Sequence, residues 1–464
     1  MTDYDLIAIG SGSAAFASAI RATEHGARVA LVERGTVGGT CVNVGCIPSK
    51  QLLAASDAYR AAGHHPFSGV SSSQGDVDLA ALVGAKAAVV EELRREKYQD
   101  LAADYGFDII RGEARFAGPG AVAVDGRELS AGHVLIATGA APWIPPIPGL
   151  EEAGYLTSTT AMELSDLPAS VVVIGGNYIG LELGQMFANL GSTVTVLEAR
   201  DQIAPFEEPE IAEVLTSTLR AEGIDVVTSV RIDRVEPGTM KRIVAEVAGT
   251  ERRFEADQVL VATGRRPVLD GLDLQRAGIE VDDRGMLVLD EQLRTTNPRV
   301  FAAGDVTGAP QYVYVAAAQG TLAADSALTG AARSMDFGAL PRVMFTRPSI
   351  AAVGLTDEEA QRAGYVCECR VMGLEHVPRG RVNLDTRGLF KVVADRGTGR
   401  VLGVHVLAEN AGDVILAGVY AVKFGLTVDD LANTWAPYLT MSEGLKLASQ
   451  AFTRELSRLS CCAA

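Results

Sequence analysis

The sequence predicts an α/β protein with two Rossmann-like dinucleotide-binding domains and a C-terminal α+β domain of the dimerisation type. Three observations carry this. A strand, a glycine turn, a helix, a second strand and an acid follow one another over residues 4–33. The same series returns 165 residues later, with Gly175 against Gly10 and Glu198 against Glu33. Beyond Pro341 the pattern changes to short alternating strands and then helices. A chain of 464 residues has room for about three domains at roughly 150 residues each.

The first unit begins with Tyr4–Gly10 (YDLIAIG), an apolar run of buried-strand type. Gly10-Ser-Gly12-Ser-Ala-Ala15 follows, then a helical run to about His25 and a second strand, Val29–Val32, ending at Glu33. Glycines here allow a tight turn and a close approach of backbone to a pyrophosphate at the helix N-terminus. Glu33 is placed to accept hydrogen bonds from an adenosine ribose.

The second unit runs Val171–Ile174, Gly175-Gly-Asn177-Tyr-Ile-Gly180, a helix to Leu190, and Val194–Leu197 ending in Glu198. A further echo pairs His133-VLIATG139 with Gln258-VLVATG264, each a strand closing on a tight turn. Asn177 replaces the middle glycine of the fingerprint. Asn tolerates positive φ better than most residues, so the turn is expected to survive with less room for the pyrophosphate. Glu198 repels a 2′-phosphate and favours NADH, whereas Arg200 is placed to recruit that phosphate from NADPH. Both nucleotides stay open. After Arg294, TTNPRVFAAGD brings Gly304-Asp305 to a strand tip, where a carboxylate can hold a polyol chain. The strands expected past Pro341 include Phe390–Val393 and Val401–Val406, with helices from Asp413 and Ser442.

Composition narrows the partners. Hydrophobic residues make up 48% of the chain, which excludes a disordered or coiled-coil protein. The net charge of −17 repels nucleic acid and anionic membranes alike. No run of 18 or so uninterrupted apolar residues is present, so no membrane insertion is expected. The opening residues, with Asp3 and Asp5, do not read as a signal peptide. A cytoplasmic location follows as the expectation, and there cysteines stay reduced unless they do chemistry.

The six cysteines form three close pairs: Cys41/Cys46, Cys367/Cys369 and Cys461/Cys462. None has the spacing of a structural zinc site. Cys41 and Cys46 lie in GGTCVNVGCIPSK, directly after the first unit. Five positions apart near a helix start, they can meet across one turn, and a helix N-terminus with a nearby cation favours the reactive thiolate. Lys50 is such a cation.

This cysteine motif, the doubled nucleotide units, the ATG turns and the AGD segment resemble the flavin-dependent pyridine nucleotide–disulfide oxidoreductases over essentially the whole chain. The resemblance implies FAD in a discontinuous first domain (1–150 and 268–335), NADPH or NADH in a second (151–267), and a homodimer whose C-terminal domain (336–464) completes the partner's site. It places Gly10, Gly12, Ala15 and Glu33 on the FAD adenosine and pyrophosphate, with Gly35, Thr40, Lys50, Ala114, Asp305 and Val313 lining the rest. Gly175, Asn177, Gly180, Glu198 and Arg200 fall on the nicotinamide nucleotide. Cys46 is implied to lie against the flavin and Cys41 to face substrate. Lys50 pairs with Glu182, and Tyr178 is the gate that nicotinamide displaces.

Disulfide-reducing members of that family shuttle a proton with a His in a His-Pro-x-x-x-Glu context. The matching stretch here is Pro437-Tyr438-Leu-Thr-Met-Ser-Glu443, with Tyr438 where the His belongs. His405, in GVHVL, reads as a structural residue of a strand. Tyrosine, with a pKa of about 10, is a poor base at neutral pH. The chain ends Leu459-Ser-Cys461-Cys462-Ala-Ala. Tyr438 and the vicinal tail cysteines resemble the mercury-reducing members of the family, in a core form without a Met-Thr-Cys-x-x-Cys module. That resemblance implies reduction of Hg(II) to Hg(0), with the ion arriving as a thiol complex. Cys461 and Cys462 of one subunit would hand it to Cys41 and Cys46 of the other, beside Tyr178 and Tyr438. Soft thiolates suit so soft a metal. Cys367 and Cys369 are expected on one face of a strand, outside this scheme, as an incidental pair rather than a metal site. Two alternatives stand beside this reading: a dihydrolipoamide dehydrogenase-like disulfide reductase, and a sink that binds metal without turnover.

Overall fold

The computed structural model describes residues 2–455; Cys461 and Cys462 lie outside the described residues. The first unit folds as strand β1 (Tyr4–Ile9), helix α1 (Ser13–Glu24) and strand β2 (Val29–Glu33). β1 is flanked in parallel by β2 and by the strand Arg127–Ile136; Asp108–Arg111 extends the sheet beyond β2. Val300–Ala302 closes its other side, parallel to Arg127–Ile136. Parallel strands covered on both faces need near-continuous apolar runs, and Ile7, Leu31 and Ile136 are all fully buried.

The second unit repeats the geometry. Ser170–Ile174 and Thr193–Leu197, joined by the helix Tyr178–Leu190, belong to a four-stranded parallel sheet with Asp225–Val227 and Gln258–Val261. Equivalent hydrogen bonds recur: Gly10 N–H donates to Val32 O at 2.8 Å, and Gly175 N–H to Leu197 O at 2.9 Å. Both glycines have positive φ, +115° and +113°. A Cβ on either would lie 2.3 or 2.4 Å from a backbone oxygen, Ala137 O or Ala262 O, which is the oxygen of an ATG turn.

Small residues serve the layer between α1 and the helix Val313–Thr329. Ala14, Ala15, Ala19 and Ala22 are buried against it with Ala316, Ala323 and Ala324. A Cβ on Gly320 would sit 2.1 Å from Ala14 O, so the two backbones are in direct contact there. Gly- and Ala-rich composition thus has a packing cause.

The C-terminal part is a five-stranded antiparallel sheet, in the order Arg342–Met344, Ser349–Gly354, Val401–Ala408, Leu389–Asp395, Cys367–Gly373. Helices Ala411–Phe424 and Glu443–Gln450 cover one face. His405 lies in the middle strand, fully buried, with Nε2 3.0 Å from Leu355 O. Burial pulls its imidazole down to about 4, so it is neutral and structural. Lys391 ties this sheet to the second unit: buried, it donates to Glu208 at 2.8 Å and to Glu210 at 2.9 Å.

Candidate active site

The cysteine motif folds as two helices rather than one. Cys41 lies in α2 (Gly39–Val44) and Cys46 opens α3 (Cys46–Gly63), with Gly45 between them at φ −128°, ψ −111°. The two thiols do meet, with the junction between the helices at Gly45 lying between them. Both are free. The Cys41 thiol donates to Cys46 sulfur, and with the Lys50 charge it brings Cys46 down to about 7, against desolvation. The same contact, with burial, pushes Cys41 far up. Of the two, Cys46 carries the negative charge, at the N-terminus of α3 where the helix dipole also favours it.

Lys50 sits one turn after Cys46, on the same face of α3. Its Nζ donates to Glu182 Oε2 at 2.6 Å and lies 4.5 Å from the Phe345 ring centroid. Glu182 is buried and accepts the Phe345 N–H through Oε1 at 2.9 Å. Three segments distant in sequence therefore fix one cation beside the thiol pair. One consequence is testable: iodoacetamide alkylation of Cys46 in the dithiol protein should rise through a midpoint near about 7. In Lys50→Met that midpoint should move to higher pH, because the thiolate loses its cation; an unmoved midpoint would remove Lys50 from this role.

Tyr178 opens the helix Tyr178–Leu190, with Glu182 one turn on. Its hydroxyl donates to Glu207 Oε1 at 3.2 Å and accepts from Tyr312 at 3.3 Å. Arg342 donates to Glu207 at 3.3 and 3.4 Å. The Glu207 side chain is only 1% exposed, so Arg342 is its neutralising partner. Burial pushes Tyr178 far up, so it is a neutral hydroxyl. Glu207, Tyr312, Arg342 and Phe345 were missed by the sequence reading. Only Tyr312 carried a signal, since it immediately precedes Val313.

The nucleotide-binding candidates lie at the strand tips. Gly12 is extended and supplies no side-chain cap to α1, so the amides at that N-terminus face the tip of β1 with their partial positive charge. Ala15 is buried in the first turn. Glu33 accepts Ser11 Oγ at 2.5 Å and Gly35 N–H at 2.6 Å. Thr40 lies in α2. Ala114 is buried at the start of the strand Ala114–Gly118, close to Gly112, whose N–H donates to Glu33 O at 3.1 Å. Asp305 follows Gly304 at the Val300–Ala302 strand tip; burial raises its carboxyl and the Arg265 guanidinium opposes that. Val313 is exposed at a helix start without a side-chain cap.

In the second unit Gly180 is packed beneath Gly175 in the first helical turn. Asn177 gives no side-chain cap, and its Oδ1 is buried without a partner. Rotated by half a turn, that amide presents N–H donors instead. Glu198 is buried, and its two oxygens accept Gly176 N–H at 2.7 Å and Arg200 N–H at 2.8 Å. It clamps the loop, as Glu33 does in the first unit. Arg200 lies over the Phe206 ring at 4.7 Å. Tyr438 is exposed, on the C-terminal part. A cleft of about 1160 Å³ adjoins Lys50, between α3 and the C-terminal sheet.

The family model of the pyridine nucleotide-disulphide oxidoreductases matches residues 4–320, and the model of that family's dimerisation domain matches residues 340–449. The chain belongs to this family. FAD and NAD(P)H are its cofactors. The residues present fit both: uncapped helix N-termini at two glycine turns for the pyrophosphates, and at the second the Asn177 side chain, whose buried Oδ1 has no partner. Within the family, the chain is 52% identical to the mercuric reductase of Streptomyces lividans, covering 100% of this chain and 99% of that protein. It is also 52% identical to the mercuric reductase of Bacillus cereus, over 99% of this chain and 73% of that protein. Among solved structures it resembles RclA, the HOCl-induced flavoprotein disulfide reductase of Escherichia coli. The TM-score is 0.86 at 32% identity, covering 96% of this chain and 99% of that one.

Proposed function

We propose that this protein reduces Hg(II), presented as a complex with two small thiols, to Hg(0) at the expense of NAD(P)H. The balance is Hg(SR)₂ + NAD(P)H + H⁺ → Hg(0) + NAD(P)⁺ + 2 RSH. FAD, when bound at the first unit, supplies the two-electron relay between the nicotinamide and the thiol-held metal. Cys41 and Cys46 displace the small thiols and hold the ion. Lys50, fixed by Glu182, keeps Cys46 anionic and ready for that exchange. Tyr178, held by Glu207 and Tyr312, is the gate that nicotinamide displaces.

The observation that carries this reading is Tyr438 at the place of the proton-shuttling His. Thiol–disulfide exchange must protonate a leaving thiolate, and a tyrosine of pKa about 10 serves that poorly. Loss of neutral Hg(0) from two thiolates breaks no bond to hydrogen. Near-full-length identity to two mercuric reductases supports the same choice.

Within this reading the site is completed across a homodimer in the cytoplasm. Leu416, Tyr420 and Phe424 make an exposed apolar stripe along one face of the Ala411–Phe424 helix, as a subunit contact requires. Tyr438 of the partner subunit then flanks the metal, and Cys461 and Cys462 deliver it. Cys461→Ala/Cys462→Ala should keep reduction by NAD(P)H yet lose most turnover with thiol-bound Hg(II); unimpaired turnover would take the tail out of the mechanism. The Glu198 charge favours NADH, and the ratio of kcat/KM for NADH and NADPH tests it.

The function itself is tested by following NAD(P)H oxidation with Hg(II) and excess thiol, and separately with lipoamide or oxidised glutathione. Turnover with mercury alone is expected. Turnover on a disulfide alone would contradict the proposal, and no turnover on either would leave a metal sink.

A further inference from the structure

The proposed reaction leaves Cys367 and Cys369 unused. They open the strand Cys367–Gly373, which lies at the edge of the C-terminal sheet and, among the described residues, pairs only with Leu389–Asp395. Alternation sends residues i and i+2 to one face, and both side chains pack on the same small patch of Leu355, Ala360, Val393 and Leu402. Both are free, and both keep partial exposure. The helix Asp357–Arg362 contributes Ala360 to that patch. Burial and the Asp357 carboxylate push Cys369 up to about 12, and burial with Asp357 and Asp395 raises Cys367. The pair is therefore held as two thiols rather than as a nucleophilic thiolate.

We propose that Cys367 and Cys369 form a further Hg(II)-binding site, a two-sulfur clamp on the C-terminal sheet separate from Cys41/Cys46 and from Cys461/Cys462. Same-face residues of a strand stand about 6.6 Å apart. Two metal–thiolate bonds of about 2.3 Å each span about 4.6 Å in line. Two side chains leaning inward by about 1 Å each close that difference. Adjacent cysteines, whose side chains diverge on an extended backbone, close it less readily. A tetrahedral metal needs two further ligands; the patch itself is apolar, and the Asp357 carboxylate hydrogen-bonded to Cys369 offers only a hard oxygen. The site thus suits a soft ion content with two sulfurs in line.

Loading is thiol exchange: Hg(SR)₂ + 2 Cys–SH → Hg(S–Cys)₂ + 2 RSH. Two protein S–H bonds and two Hg–SR bonds break, two Hg–S(Cys) bonds form, and the protons leave on the small thiols. No atom changes oxidation state. The exchange is balanced in thiols, so excess small thiol drives it back by mass action, and the clamp acts as a store rather than a trap. Arg370, the next residue, donates to Ala451 O at 3.0 Å and lies over the Phe452 ring at 5.0 Å. The chain therefore passes this strand ten residues before Cys461.

The test uses full-length, FAD-loaded protein without NAD(P)H. It is loaded with the Hg(II)–cysteine complex and desalted, and its mercury content is read by atomic absorption. Cys367→Ser/Cys369→Ser should hold one Hg(II) fewer per subunit than the unaltered protein, with Hg(II)-dependent turnover unchanged. Equal mercury content would overturn the proposal and leave the reductase reading intact. A second measurement needs no variant: maleimide labelling of the native protein, located by peptide mass. Prior Hg(II) loading should protect Cys367 and Cys369 together; labelling of either at an undiminished rate would equally overturn the clamp.

Discussion

Replacing Cys46 with serine is expected to lower NAD(P)H-driven Hg(II) reduction by about 10³-fold or more, while FAD stays bound and NAD(P)H still reduces the enzyme. The serine hydroxyl is a hard, protonated oxygen at neutral pH, so it neither displaces a small thiol from mercury nor holds the ion. Cys46 carries the charge of the pair, at about 7, because Cys41 donates to it and Lys50 stands beside it. Cys41→Ser should cost a comparable factor in turnover by another route: one of the two soft ligands is lost, and the remaining thiolate loses its strongest hydrogen bond. The two variants therefore separate in alkylation. Cys46 in Cys41→Ser should need a higher pH to react, while Cys41 in Cys46→Ser should lose the neighbour that pushes it up and react at lower pH. Stopped-flow reduction by NAD(P)H, steady-state mercury turnover and alkylation against pH check each point. Turnover within tenfold of the unaltered enzyme in either variant would contradict the assignment.

The matched glycine substitutions should produce the next largest losses, and different ones. Gly10→Ala and Gly175→Ala introduce the same clash, a Cβ 2.3 or 2.4 Å from a backbone oxygen at φ near +115°. Neither can be relieved by turning a side chain, because the opposing atom is the carbonyl of an ATG turn. Gly10→Ala should purify largely free of flavin. Gly175→Ala should retain flavin but show a KM for NAD(P)H raised by about 10²-fold, the equivalent of roughly 2.7 kcal/mol of lost nucleotide binding. Flavin content by absorbance and KM by steady-state kinetics decide it. Full flavin occupancy in Gly10→Ala, or an unchanged KM in Gly175→Ala, would detach that turn from its nucleotide.

Why these positions were legible from sequence is a matter of local chemistry. A strand, a glycine turn and a helix are specified by neighbours in the chain, and the constant offset between Gly10 and Gly175 made each unit a check on the other. The cysteine pair and Lys50 were legible for the same reason, lying within ten residues of one another. The bend between the thiols was not: Gly45 gives no sign in sequence that it ends one helix and begins another. Glu198 was read for its charge, whereas its hydrogen bonds to Gly176 and Arg200 show a carboxylate tying down its own loop. Least legible were contacts assembled from distant segments. Glu207 and Tyr312 meet at the Tyr178 hydroxyl, Arg342 pairs with Glu207, and Phe345 meets the Lys50–Glu182 pair; each of the four is unremarkable within its own stretch of sequence. Charge compensation explains why they gather: a buried Glu207 requires a cation, and Arg342, at the start of the C-terminal sheet, reaches it.

Edge position decides the reading of the third cysteine pair. Cys367 and Cys369 share a face as their spacing predicts, but only the sheet order places them on an outer strand with partial access to solvent. On an inner strand they would have been two small apolar side chains and nothing more.

Electrons from the nicotinamide are expected to end on mercury rather than on a disulfide. The most direct measurement of this is the yield of Hg(0) vapour, purged from a sealed reaction and trapped, against NAD(P)H consumed under anaerobic conditions with Hg(II) and excess thiol. One Hg(0) per NAD(P)H is the predicted result. NAD(P)H consumption without mercury vapour, its electrons recovered instead as new thiol from an added disulfide, would contradict it.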